Sequence, residues 1–225
     1  MGTSRGFAQQ RDSLLANWEE CIQGPSGYVT HAGNLTRSTG FWQARRAALD
    51  AVPPVPAFLG FAGAIPFLSL TPAVVNAAGF SQFVDILAGV QVEYGAMVVS
   101  FLGAVHWGLA MGGTLTGERS AALTKERYVW SVFPALAALS ALQLDPAQGS
   151  VAISMLLGIC YLSDSNFAKS GHVPGWYHTM RGYLTILSIL SLLATAVHYL
   201  MKDVEKMNAM MALDDAAAQE KMKPR

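Results

Sequence analysis

The sequence predicts an all-α, polytopic membrane protein built as a bundle of about five transmembrane helices. Three observations support this fold class. Of its 225 residues, 52% are apolar and only 13% are charged, about half the charged share of a typical globular domain. Most of the charge lies near the two ends of the chain. Between them are five apolar stretches, each close to the ~20 residues that a helix needs to cross a bilayer.

By composition the chain has three parts. Residues 1–50 are polar and rich in loop-forming residues, so they are predicted to be a peripheral N-terminal extension, with a short surface helix at 41–50. Residues 51–200 are predicted to form the five-helix transmembrane domain, and residues 201–225 an extramembrane C-terminal tail. The predicted spans are about 57–75, 91–112, 127–144, 149–167 and 181–200.

Each span has its own justification. The first and third are interrupted by Pro66 and Pro134, which transmembrane helices tolerate because neighbouring groups can satisfy the freed carbonyls. The second and fifth lack the charged face that helices of a soluble bundle would show.

Two stripes of residues predict how helices pack. Small residues at a spacing of four allow another helix to approach closely, and the second span carries such a stripe at Ala96, Ser100, Ala104, Gly108 and Gly112. Polar residues along one helix face predict hydrogen bonds between helices. The fifth span carries Arg181, Thr185, Ser188, Ser191 or Leu192, Thr195 and His198.

The distribution of basic residues predicts the orientation. The loops and helix ends on the side of the N-terminus carry Arg37, Arg45, Arg46, Arg119, Lys125, Arg127, Lys169 and Arg181. The opposite loops, 76–90 and 145–148, contain Asp85 and Asp145 and neither Lys nor Arg. The positive-inside rule therefore places the N-terminus in the cytoplasm, matrix or stroma and the C-terminus on the other side.

The rise of ~1.5 Å per helical residue predicts a buried polar cluster in one half of the membrane. Its members are His106, Ser131, Asp164 and Arg181. Buried charges in lipid are costly and normally paired, so we expect Asp164 to contact Arg181 or His106. Trp107, Trp130 and Trp176 are expected to form the walls around this cluster. Such a cluster fits a structural clamp, or a site for a ligand or proton.

Several function classes are disfavoured. His106 and His198 are expected about 18 Å apart along the membrane normal, which excludes a haem ligated by both. Cys21 and Cys160 lie in different contexts and are predicted to be reduced thiols. We find no phosphate-binding glycine loop, nucleophile elbow or HExxH motif, and expect no enzyme activity, cofactor or metal. A net charge of zero argues against a nucleic-acid partner.

Motifs across residues 55–200 carry a family resemblance. They are Gly63-Ala64-Ile65-Pro66-Phe67, Tyr94-Gly95-Ala96, Ser100-Phe101-Leu102-Gly103, His106-Trp107-Gly108, Ser131-Val132-Phe133-Pro134, Asp164, Trp176-Tyr177, Arg181 and Leu184-Thr185. Together they resemble the transmembrane protein 69-like family of unknown function. The resemblance implies a five-helix protein of bacterial membranes and, in eukaryotes, of mitochondria, and it implies no known activity.

We therefore expect a non-catalytic accessory or assembly subunit of a respiratory-chain complex in the mitochondrial inner membrane. Its N-terminus would lie in the matrix and its C-terminus in the intermembrane space, with the lipid bilayer and protein subunits as partners. The extensions are too short for a core of their own, and the tail has an apolar strip at Met201, Val204, Met207 or Asn208, and Met211. The alternative is a small transporter or proton-handling protein that uses the Asp164/His106 region; discontinuous helices would favour it.

Overall fold

The computed structural model describes residues 46, 47, 49–111, 118–169 and 175–222, and all regular structure in these segments is helical. The α-helices are α1 (Pro54–Ser69), α2 (Pro72–Ala77), α3 (Val84–Met111), α4 (Glu118–Ala141), α5 (Pro146–Lys169) and α6 (Gly175–Met222). A single 3-10 turn, Ser81–Phe83, precedes α3. The prediction of an all-α membrane fold is confirmed.

The side chains are arranged as in a protein surrounded by lipid. Phe58, Phe101 and Leu162 expose 73%, 68% and 64% of their surface, whereas Gln91 and Thr195 are completely buried. In a bilayer, lipid tails cover apolar side chains, while polar groups must find partners inside the protein. The burial pattern therefore supports the membrane assignment independently of composition.

Three helical segments are long and apolar enough to cross a membrane: Ser81–Met111, Pro146–Ala168 and Trp176–Asp215. Helix α1 is apolar but has only 16 residues, which is roughly 24 Å of helix. Helix α4 is not one of these segments. It carries three charged residues at 125–127, and the uncharged part between them and its end at Ala141 is too short to cross a membrane. The predicted total of five spans thus stays a prediction.

The ends of two helices differ from the predicted spans. Helix α3 begins at Val84 rather than near residue 91, so Asp85 lies in its first turn, where a carboxylate interacts favourably with the helix dipole. Helix α6 continues without a break to Met222. The described part of the predicted tail is therefore a helical continuation of the fifth predicted span.

The first predicted span, about 57–75, is divided between α1 and α2. Pro66 and Pro134 lie inside α1 and α4 and end neither helix. The break follows Ser69, and Thr71 has an extended backbone (φ −64°, ψ 139°) before Pro72 opens α2. The helical region is sterically disfavoured for a residue before proline, and proline is favoured at the start of a helix.

The described residues form two compact units: unit one lies within residues 46–65 and 161–187, and unit two within residues 66–160 and 188–222. Within unit one, α1 approaches α6 at Gly60, where an added Cβ would lie 3.1 Å from Leu184 Cδ1. Unit two contains an apolar core from α1, α3, α4, α5 and α6. The core residues are Phe67, Val92, Ala96, Val99, Leu102, Ala138, Ala141, Ile153, Leu157, Cys160 and Leu192.

The small-residue stripe predicted on α3 packs only in part. Ala96 is buried and Ser100 donates to its backbone oxygen at 2.9 Å, but Ala104 and Gly108 are exposed, and Gly112 lies outside the described residues. Close packing occurs instead at Gly103, where an added Cβ would meet the Ser131 backbone oxygen at 2.5 Å. A spacing of four drifts by about 40° per step in a helix of 3.6 residues per turn, so the stripe turns away from α4.

Candidate functional site

In unit one, α5 and α6 meet through a buried ion pair. Asp164 and Arg181 are only 4% and 5% exposed. Arg181 Nε donates to Asp164 Oδ2 at 3.1 Å, and Arg181 Nη1 donates to Thr185 Oγ1 at 2.7 Å. Arg181 and Thr185 lie on the same face of α6 because they are four residues apart. We call Asp164, Arg181 and Thr185 the ion-pair cluster.

Aromatic and hydroxyl contacts hold the two helices beside this pair. The rings of Tyr161 and His178 stack with centroids 5.2 Å apart, and Ser165 Oγ lies 2.8 Å from His178 Nε2. A Cβ added at Gly182 would lie 3.0 Å from the Tyr161 hydroxyl, so a small residue is needed where α6 passes that ring. Tyr161 and His178 each lie three residues before a member of the ion pair, and Ser165 and Gly182 each follow one directly, so these contacts surround the ion pair.

The chemistry of the ion-pair cluster follows from the guanidinium, which keeps its charge in proteins. The Asp164 carboxylate neutralises that charge at one nitrogen, and Thr185 accepts from a second. The third, Arg181 Nη2, is buried without a hydrogen-bond partner among the residues that the structure describes. The cluster can therefore clamp two helices, and one guanidinium nitrogen remains beyond the clamp.

A second polar cluster, in unit two, lies at the break after α1. The last carbonyls of a helix have no partners within it. Gln91 Nε2 donates to the Phe67 carbonyl at 2.6 Å, and Ser191 Oγ donates to the same oxygen. Gln91 Nε2 also donates to Ser191 Oγ at 3.0 Å, and Thr195 Oγ1 donates to Gln91 Oε1 at 2.6 Å. We call the Phe67 carbonyl, Gln91, Ser191 and Thr195 the helix-break cluster.

The helix-break cluster leaves no polar atom of Gln91 unused. Gln91 and Thr195 are fully buried, and Ser191 is 5% exposed. An unsatisfied backbone carbonyl in lipid costs several kcal/mol, so the cluster stabilises the end of α1 by joining it to α3 and α6. Broken helices of transporters place their freed carbonyls against ions or substrates. Here the side-chain amide of Gln91 occupies the place of an ion or substrate at the Phe67 carbonyl.

The four residues predicted to form one cluster are divided between the two units. Asp164 and Arg181 are in direct contact in unit one. His106 and Ser131 belong to unit two and are 2% and 6% exposed, and Ser131 Oγ donates to the Tyr128 carbonyl of its own helix at 2.7 Å. A site shared by all four stays a prediction.

The predicted tryptophan wall is made of separate pairs. Trp107 meets Tyr128 edge to face at 5.0 Å, Trp130 stacks on Phe133 at 5.5 Å, and Trp176 meets its neighbour Tyr177 at 6.1 Å. Within the described segments, no group of three or more His, Cys, Asp or Glu side chains could hold a metal ion. The absence of a metal or cofactor stays a prediction.

Sequence reasoning did not single out Gln91 and did not predict the burial of Arg127. Arg127 was counted among the basic residues near membrane ends, which stays a prediction, and the structure places it inside α4, completely buried. A signal for Gln91 was available, because it falls on the same helical face as Ala88, Gly95 and Val99, all of which are buried. An amide on the packed face of an apolar helix predicts a hydrogen bond to a neighbouring helix.

Comparison with known proteins places these features in a family context. A family model described as "Protein of unknown function (DUF3429)" matches residues 52–197. The chain is 32% identical over 152 residues to Transmembrane protein 69 of Xenopus tropicalis, covering 67% of this chain and 57% of that protein. It is 25% identical over 148 residues to Transmembrane protein 69 of Mus musculus, covering 64% and 56%. The chain thus spans a little over half the length of these relatives. No solved structure matches it.

Proposed function

This chain belongs to the family described as Protein of unknown function (DUF3429), and we propose that it is a non-catalytic accessory or assembly subunit of a membrane complex. The complex is a respiratory-chain assembly of the mitochondrial inner membrane. The role is structural: the chain contributes a helical bundle and an extramembrane helix to which other subunits bind.

The helix-break cluster carries this proposal. A transport function would need polar groups that are open to a solute at the discontinuous helix. Instead, both donors of the Gln91 amide and its oxygen are engaged by Phe67, Ser191 and Thr195. Because the polar groups of this cluster bond to neighbouring helices, they support a structural role.

Charge supports the proposed orientation. Lys125 is exposed in α4 and Arg46 before α1, whereas the opposite segments 76–90 and 145–148 contain Asp85 and Asp145 and no basic residue. Under the positive-inside rule this favours an N-terminus in the matrix and a C-terminus in the intermembrane space. Protease protection of terminal tags in mitoplasts tests it: the C-terminal tag should be cut and the N-terminal tag protected. The reverse pattern, or both tags cut, would contradict the orientation.

The function is tested by isolating the full chain from its native membrane in a mild detergent. On a native gel followed by mass spectrometry, we expect it to migrate far above its own 24.0 kDa with a reproducible set of other chains. In liposomes, the purified chain should move neither protons nor solutes. A species that contains only this chain would contradict the proposal. Movement of a solute or of protons in liposomes would favour the transport function instead.

A second candidate is a proton-handling or transport function at the ion-pair cluster. It is favoured by one observation, the buried Arg181 Nη2 that has no hydrogen-bond partner in the described part of the chain. Proton flux in liposomes that Asp164→Asn abolishes, while Glu93→Gln on the exposed face of α3 preserves it, would establish this candidate. Equal flux with and without protein would eliminate it.

A further inference from the structure

One face of α6 carries large apolar residues that nothing within the described chain covers. They follow each other at alternating steps of four and three residues from 193 to 211. The exposed fractions are Leu193 39%, Val197 53%, Leu200 60%, Val204 49%, Met207 52% and Met211 58%. One step of four and one of three add up to seven residues, which is the heptad repeat of a coiled coil. We call these six residues the α6 seam.

Lipid accounts for only the first half of the seam. After Arg181, α6 has no charged residue until Lys202, and then Asp203, Glu205 and Lys206 follow. Such a run of charges indicates that the helix has left the hydrocarbon region. The seam nevertheless continues in register through Val204, Met207 and Met211, where lipid tails no longer cover it. A protein surface must cover this part, because a contiguous apolar stripe in water is unfavourable.

The charges beyond the membrane are arranged around the seam in a coiled-coil pattern. With Val197, Val204 and Met211 at position a and Leu193, Leu200 and Met207 at position d, Lys202, Glu205 and Lys206 fall at the outer positions f, b and c. Asp203 is the one charge of residues 197–211 on a flanking position, g, and in a parallel pair it would face Asn208 at e. Two copies would therefore meet without like charges in contact.

We propose that the α6 seam binds the α6 seam of a second copy of this chain, as a parallel two-stranded coiled coil that leaves the membrane with both helices. Valine at a with leucine at d favours two parallel strands. Two copies inserted in the same orientation present their helices in parallel, and the same patch on each gives a closed, two-fold pair. The pairing goes beyond the proposed function, because it concerns copies of this chain and not the other subunits.

Disulfide scanning of the full chain in its native membrane tests the pairing. Cys21 is replaced by serine, and Cys160 is kept because it is buried in the core. Two differently tagged copies carry single cysteines at 200, 204, 207 or 211, or at the matched outer positions 202, 205, 206 or 209. We expect at least fivefold more linked pairs of the two tags at the seam positions. Linkage to another protein, equal linkage at all positions, or none at all would overturn the proposal.

A matched pair of charge substitutions provides the second measurement. Val204→Asp places a carboxylate in the seam, and Ala209→Asp places the same group at outer position f in the same exposed part of the helix. In nanodiscs, we expect Val204→Asp to lower the dimer fraction at least tenfold at fixed concentration and Ala209→Asp to leave it unchanged. Loss in both, or in neither, would overturn the proposal. The two proposals can fail separately: a dimer without foreign chains contradicts only the proposed function, and foreign chains without the dimer contradict only the pairing.

Discussion

The ion-pair cluster of unit one and the helix-break cluster of unit two both join helices through buried polar groups, but only the first contains formal charges. In the ion-pair cluster, one carboxylate and one hydroxyl serve a guanidinium. In the helix-break cluster, the neutral side chains of Gln91 and Ser191 donate to one backbone carbonyl, and Thr195 donates to Gln91 Oε1. A lost partner leaves a buried charge in the first case and a buried dipole in the second, and the first cost is about twice the second. A single substitution should therefore lower the free energy of unfolding more in the ion-pair cluster than in the helix-break cluster.

The largest effect is expected from Asp164→Ala. It leaves the Arg181 guanidinium buried without a counter-ion, which lowers the free energy of unfolding by about 3 to 5 kcal/mol. Thermal or denaturant unfolding of the protein in detergent micelles measures this. The double variant Asp164→Leu with Arg181→Met removes both charges and should recover most of the loss, because an apolar pair of similar volume carries no desolvation cost. A double variant as unstable as the single one would show that the charge is not the cause.

A smaller effect is expected from Gln91→Leu in the helix-break cluster. The Phe67 carbonyl keeps its bond from Ser191, and Thr195 Oγ1 keeps only its longer bond to the Ser191 carbonyl, at 3.4 Å, so the free energy of unfolding should fall by about 1 to 3 kcal/mol. The control is Glu93→Gln, an exposed position two residues along the same helix, which should change it by less than about 0.5 kcal/mol. A loss as large as that of Asp164→Ala would remove the distinction between the clusters.

The sharpest comparison uses one substitution in both clusters. Thr185→Val removes an acceptor from a charged donor and should cost about 1.5 to 3 kcal/mol, whereas Thr195→Val removes a neutral bond between membrane helices and should cost about 0.6 kcal/mol. Both threonines are buried, at 3% and 0% exposure, so differences in packing are small. Equal losses of unfolding free energy in the two variants would mean that charge does not set the strength of these bonds.

The two clusters also differ in how far the sequence could predict them. Asp164 and Arg181 are 17 residues apart on consecutive helices, and a buried aspartate in an apolar run requires a cation, so their pairing could be expected. The partners of Gln91 lie 24, 100 and 104 positions away in the sequence. The sequence predicted a polar stripe on one face of α6 and hydrogen bonds from it to another helix. Ser191 and Thr195 do bond to another helix, α3. Tertiary packing decides which helix that is.

Composition and periodicity alone determined the fold class, the apolar character of α3, α5 and α6, and the need to pair Asp164, because lipid penalises every unpaired charge and open backbone group in the same way wherever it lies. Tertiary structure decided the break before Pro72 and its repair by Gln91, the burial of Arg127, and the face of α3 that packs at Gly103 rather than along the stripe of small residues. These features depend on which helix supplies the missing partner or the approaching backbone. That choice is made by contacts between residues far apart in the chain, which no local pattern encodes.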